Sequence, residues 1–245
     1  MKGPGNGRLI GVGVGPGDPE LLTLKAARML AEADVVAHFA KAGNASNARR
    51  IVAQHLRPGV EELPLLYPVT TEVPTSAPAY RDAIRDFYDE SAAAVARHLD
   101  QGRAVAVLSE GDPLFYGSYM HLHVRLAPHY RAEVVPGITA MSGCWSLAGA
   151  PIAQGDDVFV VLPATLPEAE LERRLLDADA AVLMKLGRHL EKVRRVLART
   201  GQLSRAIYVE RGTTADSINM PLEQKRDDAA PYFSVILVPG WEKRS

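Results

Sequence analysis

Residues 105–117 read V-A-V-L-S-E-G-D-P-L-F-Y-G, and the fold class turns on them. Residues 104–108 are a short apolar run without polar alternation, the pattern of a strand buried on both faces of a parallel sheet. Ser109, Glu110, Gly111, Asp112 and Pro113 follow with no spacer. Asp112 suits an N-cap and Pro113 a first helical position, which predicts a helix from there through Phe115, Tyr119 and Leu122. Gly111 lets another group approach the backbone closely. A buried strand, a tight polar turn and a helix start together place an acid and free N–H groups at a sheet's carboxyl edge, where open α/β sheets bind ligands. An ordinary βα connection containing Gly-Asp-Pro is the alternative reading of this segment alone.

The same arrangement occurs near the N-terminus. Residues 9–14 read as a first strand, and Gly15-Pro16-Gly17-Asp18-Pro19-Glu20 then turns into a helix. Asp18 is its expected N-cap and Pro19 its first residue, with Leu22, Met29 and Leu30 on the buried stripe. Glycines at 11, 13, 15 and 17 suggest a dinucleotide site, which three features exclude. The spacing is not G-x-G-x-x-G, Pro16 removes a backbone donor, and the second strand (residues 34–37) runs into His38 and Lys41 instead of a ribose-binding acid. No Gly-Lys-Ser/Thr follows either, so this is no nucleoside triphosphate loop. What remains is a backbone open to close approach by a flat or bulky ligand, or a plain tight turn.

Working outward, residues 45–56 read as a helix and 60–63 as a third strand. Residues 67–80 carry Pro68, Pro74 and Pro78, too irregular for an element and longer than most connections; a lid and a plain loop both fit. Residues 80–100 form a long amphipathic helix with Ile84, Phe87, Val95 and Leu99 inward, and residues 132–135 a fifth strand. A run of βα units predicts a doubly wound parallel sheet in a domain spanning residues 1–135. From Pro136 a small-residue helix leads into a second α/β domain, residues 136–245. Strands are expected at 157–162, 180–184, 206–210 and 233–238, a further one at 213–220, and helices at 168–177 and 188–200. Its sheet is expected to be mixed, because several connections suit hairpins.

Composition sets outer bounds. The chain has 245 residues, 47% hydrophobic and 23% charged, as in ordinary globular proteins. A net charge of -1 argues against a protein built to grip nucleic acid. Residues 1–8 lack the apolar core of a signal peptide, and no apolar run approaches the ~20 residues of a membrane span, so a cytoplasmic protein is expected. One cysteine, Cys144, excludes an intrachain disulfide and a cysteine-built metal site. The seven histidines show no H-x-x-x-H grouping, and His121 and His123 point to different faces of a helix, so no metal is expected. No G-x-S-x-G surrounds a serine, and Cys144, in a helix of small residues, reads as a packing residue. No acid–base or covalent machinery stands out, and no catalytic residue is identified.

What recurs is turn chemistry at strand ends: Gly15-Pro16-Gly17, Glu110-Gly111-Asp112, Gly137-Ile138-Thr139-Ala140, Met184-Lys185-Leu186-Gly187 and Glu210-Arg211-Gly212-Thr213. Spread over two domains, they point to a cleft lined mostly by backbone. In this order and setting the chain resembles the tetrapyrrole (corrin/porphyrin) methylase family from Gly11 to Trp241. The G-P-G-D turn, the G-D-P turn and the P-G-I-T-A helix start are jointly specific. The stretches P-I-A-Q-G-D-D-V, Y-V-E-R-G-T and P-Y-F-S-V-I-L-V-P-G-W add to the match.

The resemblance implies transfer of a methyl group from S-adenosylmethionine to a ring carbon of a small tetrapyrrole, with the cofactor folded between the domains. It implies cofactor contacts from Pro16, Glu110, Gly111, Asp112 and Phe115 in the first domain's turns. Further contacts would come from Thr139, Ala140, Met184 and Gly212. Family members often carry a second glycine where this chain has Glu110. Asp112 would accept from a ribose hydroxyl or an amine, and Thr139 would serve the methionine carboxylate near a helix start. The substrate's carboxylates call for cations, with Lys41, Arg49, Arg50, Arg81, Arg85 and Arg211 as candidates. Family members pair, so a homodimer is implied, with neither nucleic acid nor membrane as partner. A nucleotide-sensing α/β module without turnover is the non-enzyme alternative.

Overall fold

Alternating apolar side chains on each strand account for the layering. The computed structural model describes residues 5–68 and 78–240, and the chain divides into two compact units, residues 1–139 and 140–245.

The first unit runs β1 (Gly5–Gly13), α1 (Leu24–Glu32), β2 (Val35–Lys41), α2 (Asn47–Ile51), β3 (Glu61–Tyr67), α3 (Pro78–Asp100), β4 (Ala104–Ser109), α4 (Tyr119–Leu126) and β5 (Tyr130–Val135). All the strands pair parallel, in the order β3-β2-β4-β1-β5. Successive residues point to opposite faces. Leu9, Val35, Val105 and Val107 pack with Val95, Leu99 and Leu122 of α3 and α4. Ile10, Val36, Ala106 and Leu108 pack with Met29, Leu30 and Ile51 of α1 and α2 on the other face. This is the expected doubly wound sheet. Pro64 lies in β3, an edge strand, where its missing N–H breaks no inner ladder.

Three helix starts differ from expectation. Asp18 caps only a single 3-10 turn, Pro19–Leu21, its side chain accepting from the Glu20 amide at 2.9 Å. Leu22 is extended there, and α1 begins afresh with Thr23 as N-cap, whose hydroxyl accepts from the Ala26 amide at 3.1 Å. The helix expected at Pro113 begins only at Tyr119. Asp112 instead accepts from the Leu114 amide at 2.9 Å and from the Gly137 amide at 3.1 Å. That sideways tie and a left-handed Tyr116 (φ 55°) hold residues 113–117 in a turn. Residues 45–56 give the five-residue α2, capped by Ser46, followed by the 3-10 turn Ala53–His55. Residues 69–77, the bulk of the lid expectation, lie outside the described residues, as does Trp241.

The second unit runs α5 (Ala140–Ala148), β6 (Phe159–Pro163), α6 (Glu168–Leu176), β7 (Ala180–Met184), α7 (Leu190–Arg199), β8 (Ile207–Glu210), β9 (Ile218–Pro221) and β10 (Ser234–Val238). Its sheet, in the order β6-β7-β10-β8-β9, is mixed as expected: β6 and β7 are parallel, and the other neighbours antiparallel. Leu183, Tyr208 and Ile236 pack under α6 and α7; Val182, Val209 and Leu237 pack with Cys144 of α5. Residues 136–139 take no regular structure, so α5 opens at Ala140. The helix expected at 188–200 splits into the 3-10 turn Gly187–His189 and α7. The strand expected at 213–220 shrinks to β9, because Thr213 is left-handed (φ 72°) and Ser217 donates back to the Thr214 carbonyl at 3.1 Å.

Candidate functional site: two sheet edges

In the first unit, β1 and β4 lie side by side, yet β1 continues into the helix layer of α1 and β4 into that of α4. Such a reversal opens a crevice at the carboxyl ends of two neighbouring strands, the usual ligand position in doubly wound sheets. The turns that follow are stitched together through the main chain. Val14 donates to the Ser109 carbonyl at 2.9 Å, and Gly111 donates to the Gly15 carbonyl at 2.8 Å. Gly15 and Gly111 are left-handed (φ 79° and 66°) and form an isolated antiparallel bridge. A Cβ on Gly13 would strike Gly137, and one on Gly137 would strike the Gly111 carbonyl. Gly11 has another reason to be glycine: the Tyr119 ring lies where its Cβ would be. The alternating glycines therefore serve the packing of three turns and one aromatic ring.

Asp112 completes this edge by holding its own turn and the turn after β5 with its two carboxylate oxygens. Both oxygens already receive an amide, so the expected ribose or amine contact would share an acceptor that the loops use. Glu110 points away from the glycines. Burial pushes its pKa up, against the opposing pull of the Ala48 amide, the Arg50 charge and the Asn47 side chain of α2. Pro16, Phe115 and Thr139 lie in or beside the same three turns, each partly exposed. One polar cluster has no signature in the sequence. The Ser118 hydroxyl, at the start of α4, bonds the phenol of Tyr67 at the end of β3 and receives that of Tyr88 at 3.2 Å.

In the second unit, β7 and β8 both run antiparallel to β10 between them, so their carboxyl ends share one edge. Gly212 lies there with the Cys144 sulfur where its Cβ would stand. Met184 packs against the same cluster of Met141 and Cys144, on the helix that Ala140 opens. Backbone strain gathers here: Lys185 (φ 58°), Arg211 (φ 47°) and Thr213 (φ 72°) are left-handed. With Tyr116 in the first unit, they are the described non-glycine residues at positive φ. Each such residue costs about 1–3 kcal/mol and persists where its surroundings over-determine it. Lys185, Arg211 and Thr213 fall in turns that the sequence marked, whereas Tyr116 falls where a helix was expected. The Arg211 amide is fixed by the Phe233 carbonyl at 2.7 Å, and Glu210 accepts from the buried Tyr208 hydroxyl at 2.9 Å.

Nucleophilic chemistry does not fit either edge. Burial pushes the Cys144 thiol up to about 12, which leaves it un-ionised near neutrality. Among the described residues no group of His, Cys, Asp and Glu is placed to hold a metal ion. The candidate cations separate clearly. Arg49 is held bidentate by Glu62 at 2.7 and 2.8 Å, Arg85 pairs with Asp82 and Asp86, and Arg211 with Asp216 at 3.1 Å. Arg50 donates to the Asn47 side-chain oxygen at 3.0 Å and makes no ion pair among the described residues. Main-chain turns and one acid as organiser suit a site that grips and aligns reactants and leaves the chemistry to them.

The family model for tetrapyrrole (corrin/porphyrin) methylases matches residues 8–224. The chain is 64% identical over 244 residues to the precorrin-2 C(20)-methyltransferase of a Sinorhizobium species, covering 100% of each. It is 30% identical to the cobalt-precorrin-2 C(20)-methyltransferase of Salmonella typhimurium, covering 97% of this chain and 98% of that one. Among solved structures, the uroporphyrin-III C-methyltransferase of Thermus thermophilus complexed with S-adenosylhomocysteine superposes with a TM-score of 0.68 at 25% identity, over 96% of this chain and 99% of that one. With its fold, its two turn-lined edges and these matches, the chain belongs to the tetrapyrrole (corrin/porphyrin) methylase family.

Proposed function

We propose that the chain is an S-adenosylmethionine-dependent methyltransferase that methylates precorrin-2 at C20, giving precorrin-3A in cobalamin biosynthesis. The observation that carries this reading is the 64% identity, end to end, with a precorrin-2 C(20)-methyltransferase. Support for the cofactor comes from a family neighbour solved with S-adenosylhomocysteine. When bound, the cofactor supplies a methyl group already made electrophilic by its sulfonium. The chain's part is to orient that methyl against an electron-rich ring carbon and to exclude water.

In this reading Pro16, the backbone of residues 110–112, Phe115 and Thr139 serve the cofactor from the first unit's edge. Ala140, Met184 and Gly212 serve it from the second unit's edge. Asp112 contributes mainly by fixing the turns, and the substrate is a small tetrapyrrole. We further read the protein as a cytoplasmic homodimer without nucleic-acid or membrane partners; no described helix is long and apolar enough to cross a membrane. Sedimentation equilibrium checks the dimer.

A second reading, the cobalt-containing substrate, is favoured by the 30% identical cobalt-precorrin-2 relative. Assaying both substrates and locating the new methyl by NMR decides between them. Calorimetry is expected to find micromolar-range binding of S-adenosylhomocysteine. Binding of a nucleotide without turnover of either tetrapyrrole would overturn the methyltransferase reading in favour of a sensing module.

A further inference from the structure

We propose that the Tyr67 phenol contacts the macrocycle of the tetrapyrrole substrate and that Ser118, anchored by Tyr88, is the residue that positions it. The inference rests on the methyltransferase reading and deepens it, because it names a contact for substrate on the connection that also carries the turn assigned to cofactor.

Ser118 stands at the N-cap of α4, where a serine hydroxyl ordinarily accepts an amide of the helix's first turn. Its side chain makes no such bond. The hydroxyl turns instead to the phenols of Tyr67 and Tyr88, receiving the latter at 3.2 Å. A local bond is given up for a tertiary one. Gly117 makes the placement possible: the Ser109 hydroxyl lies 2.6 Å from where its Cβ would be, so the connection rests directly on the end of β4. Tyr67 closes β3, and β2 separates that strand from β4. The bond from Tyr67 to Ser118 therefore crosses the carboxyl end of β2, a span of about 10 Å between strand axes. Phe39 of β2 stacks on the Tyr67 ring there, with centroids 5.8 Å apart.

The three hydroxyls differ in how firmly they are held. Tyr88 is the fixed end, buried in α3 with the His121 ring lying flat on it at 4.0 Å. Ser118 is the link, and Tyr67 is the outer end, half-buried at the tip of its strand. Tyr119, the next residue, shows a phenol that serves packing alone: it is fully buried against Gly11 and bonds within its own helix to His123 at 3.1 Å. Neutral hydroxyls beside the packed rings of Phe39, Tyr67 and Phe87 suit a flat macrocycle better than its acidic rim, which calls for cations. A phenol both donates and accepts, so it matches the mixture of N–H and imine nitrogens that a tetrapyrrole carries. The carboxyl edge of an open α/β sheet is also where a ligand belongs. Ser118 and Asp112 lie on the one connection between β4 and α4, so substrate and cofactor meet a single stretch of chain.

The test is a double-mutant cycle on the full chain, with S-adenosylmethionine and precorrin-2, read as kcat, KM and the dissociation constant of S-adenosylhomocysteine. Y67F removes one oxygen and is expected to raise the substrate KM about fivefold with kcat within about twofold, the signature of lost uniform binding. S118A should raise KM about threefold, and Y67F/S118A by no more than Y67F alone, because Ser118 acts through Tyr67. Cofactor-product affinity should move in none of these by more than about twofold, unlike a variant whose connection collapses. A purely structural cluster predicts the reverse pattern, a lowered Tm with KM unchanged. That pattern, additive KM effects in the double variant, or an equal loss of S-adenosylhomocysteine binding would each overturn the proposal. If the wild type methylates no tetrapyrrole, the functional reading falls, and the contact is judged on its own by absorbance titration of precorrin-2 into the protein saturated with S-adenosylhomocysteine. Y67F should then raise the dissociation constant of precorrin-2 about fivefold. An unchanged constant, or a wild type that binds no precorrin-2, overturns the contact as well.

Discussion

The two sheet edges reach tight, irregular turns by opposite means. In the first unit the turns are built from residues without side chains: Gly13, Gly15, Gly111 and Gly137 let three main-chain segments touch. In the second unit three left-handed positions at the edge are filled by Lys185, Arg211 and Thr213, residues that bear strain. A parallel sheet covered on both faces brings several strand ends to one line, so its turns must interleave and glycine is the only residue that fits. The mixed sheet separates β7 from β8 by a whole strand, which leaves room for side chains. Each of those three positions carries strain that a glycine would avoid, which makes them the more telling mark of function.

The contrast can be broken most forcefully at Gly137. G137A places a methyl against the Gly111 carbonyl, with backbone on every side and no flexible atom to yield. We expect a loss of about 3 kcal/mol or more in urea unfolding, at the upper end for overpacking, together with lost S-adenosylhomocysteine binding. Gly187 is the control from the other edge: a Cβ there meets nothing, so G187A should cost only about 1 kcal/mol from its positive φ. Equal losses in the two variants would erase the distinction.

Asp112 comes next. D112A strands the Leu114 and Gly137 amides and should cost about 2 kcal/mol, with calorimetry showing loss of S-adenosylhomocysteine binding. Retained binding in D112A would count against the first unit's edge as the cofactor site.

On the second edge, Cys144 gives a pH-dependent prediction. Its folded pKa is raised from 9.0 to about 12 by burial, so its contribution to stability is full below pH 9 and declines as pH rises through about 12. In native protein at pH 8 the thiol should resist alkylation and react only on unfolding, as followed by mass spectrometry. Rapid labelling of the folded protein would show Gly212 to be less tightly covered than its contact with Cys144 implies.

The smallest expected effect has the opposite sign. T213G relieves a β-branched residue held at φ 72° and should stabilise the protein by about 1 kcal/mol, seen as a raised Tm. If the strain serves binding, the same variant should weaken methyl transfer. A gain in stability with unchanged turnover would make the strain incidental.

Much of this was legible in the chain itself. The buried strand at 104–108, the doubly wound first sheet and the mixed second sheet follow from apolar runs and their spacing, and the turns that carry the candidate site were visible as Gly-Pro-Asp chemistry. Helix starts were not, and each error has a local cause. Asp18 and Asp112 both look like caps because an aspartate before a proline favours one, yet the Asp112 carboxylate is drawn sideways to Gly137, a partner 25 residues away. Thr23 was the overlooked signal, a hydroxyl three residues before Ala26. The role of the glycines at 11 and 13 was also hidden, because Tyr119 and Gly137 reach them only through tertiary packing. Which arginine keeps its charge available could not be read either. Arg49 and Arg50 are neighbours in sequence and differ only in which partner the fold brings to each.

The lone bridge between Gly15 and Gly111 has a mechanical corollary. It fastens the tips of two connections whose parent strands already run side by side, so neither tip swings without carrying the other. Such a rivet leaves no hinge at this edge. A molecule seated against one tip meets a surface already shaped by both, and the entropy of ordering them is spent during folding instead of at the moment of capture.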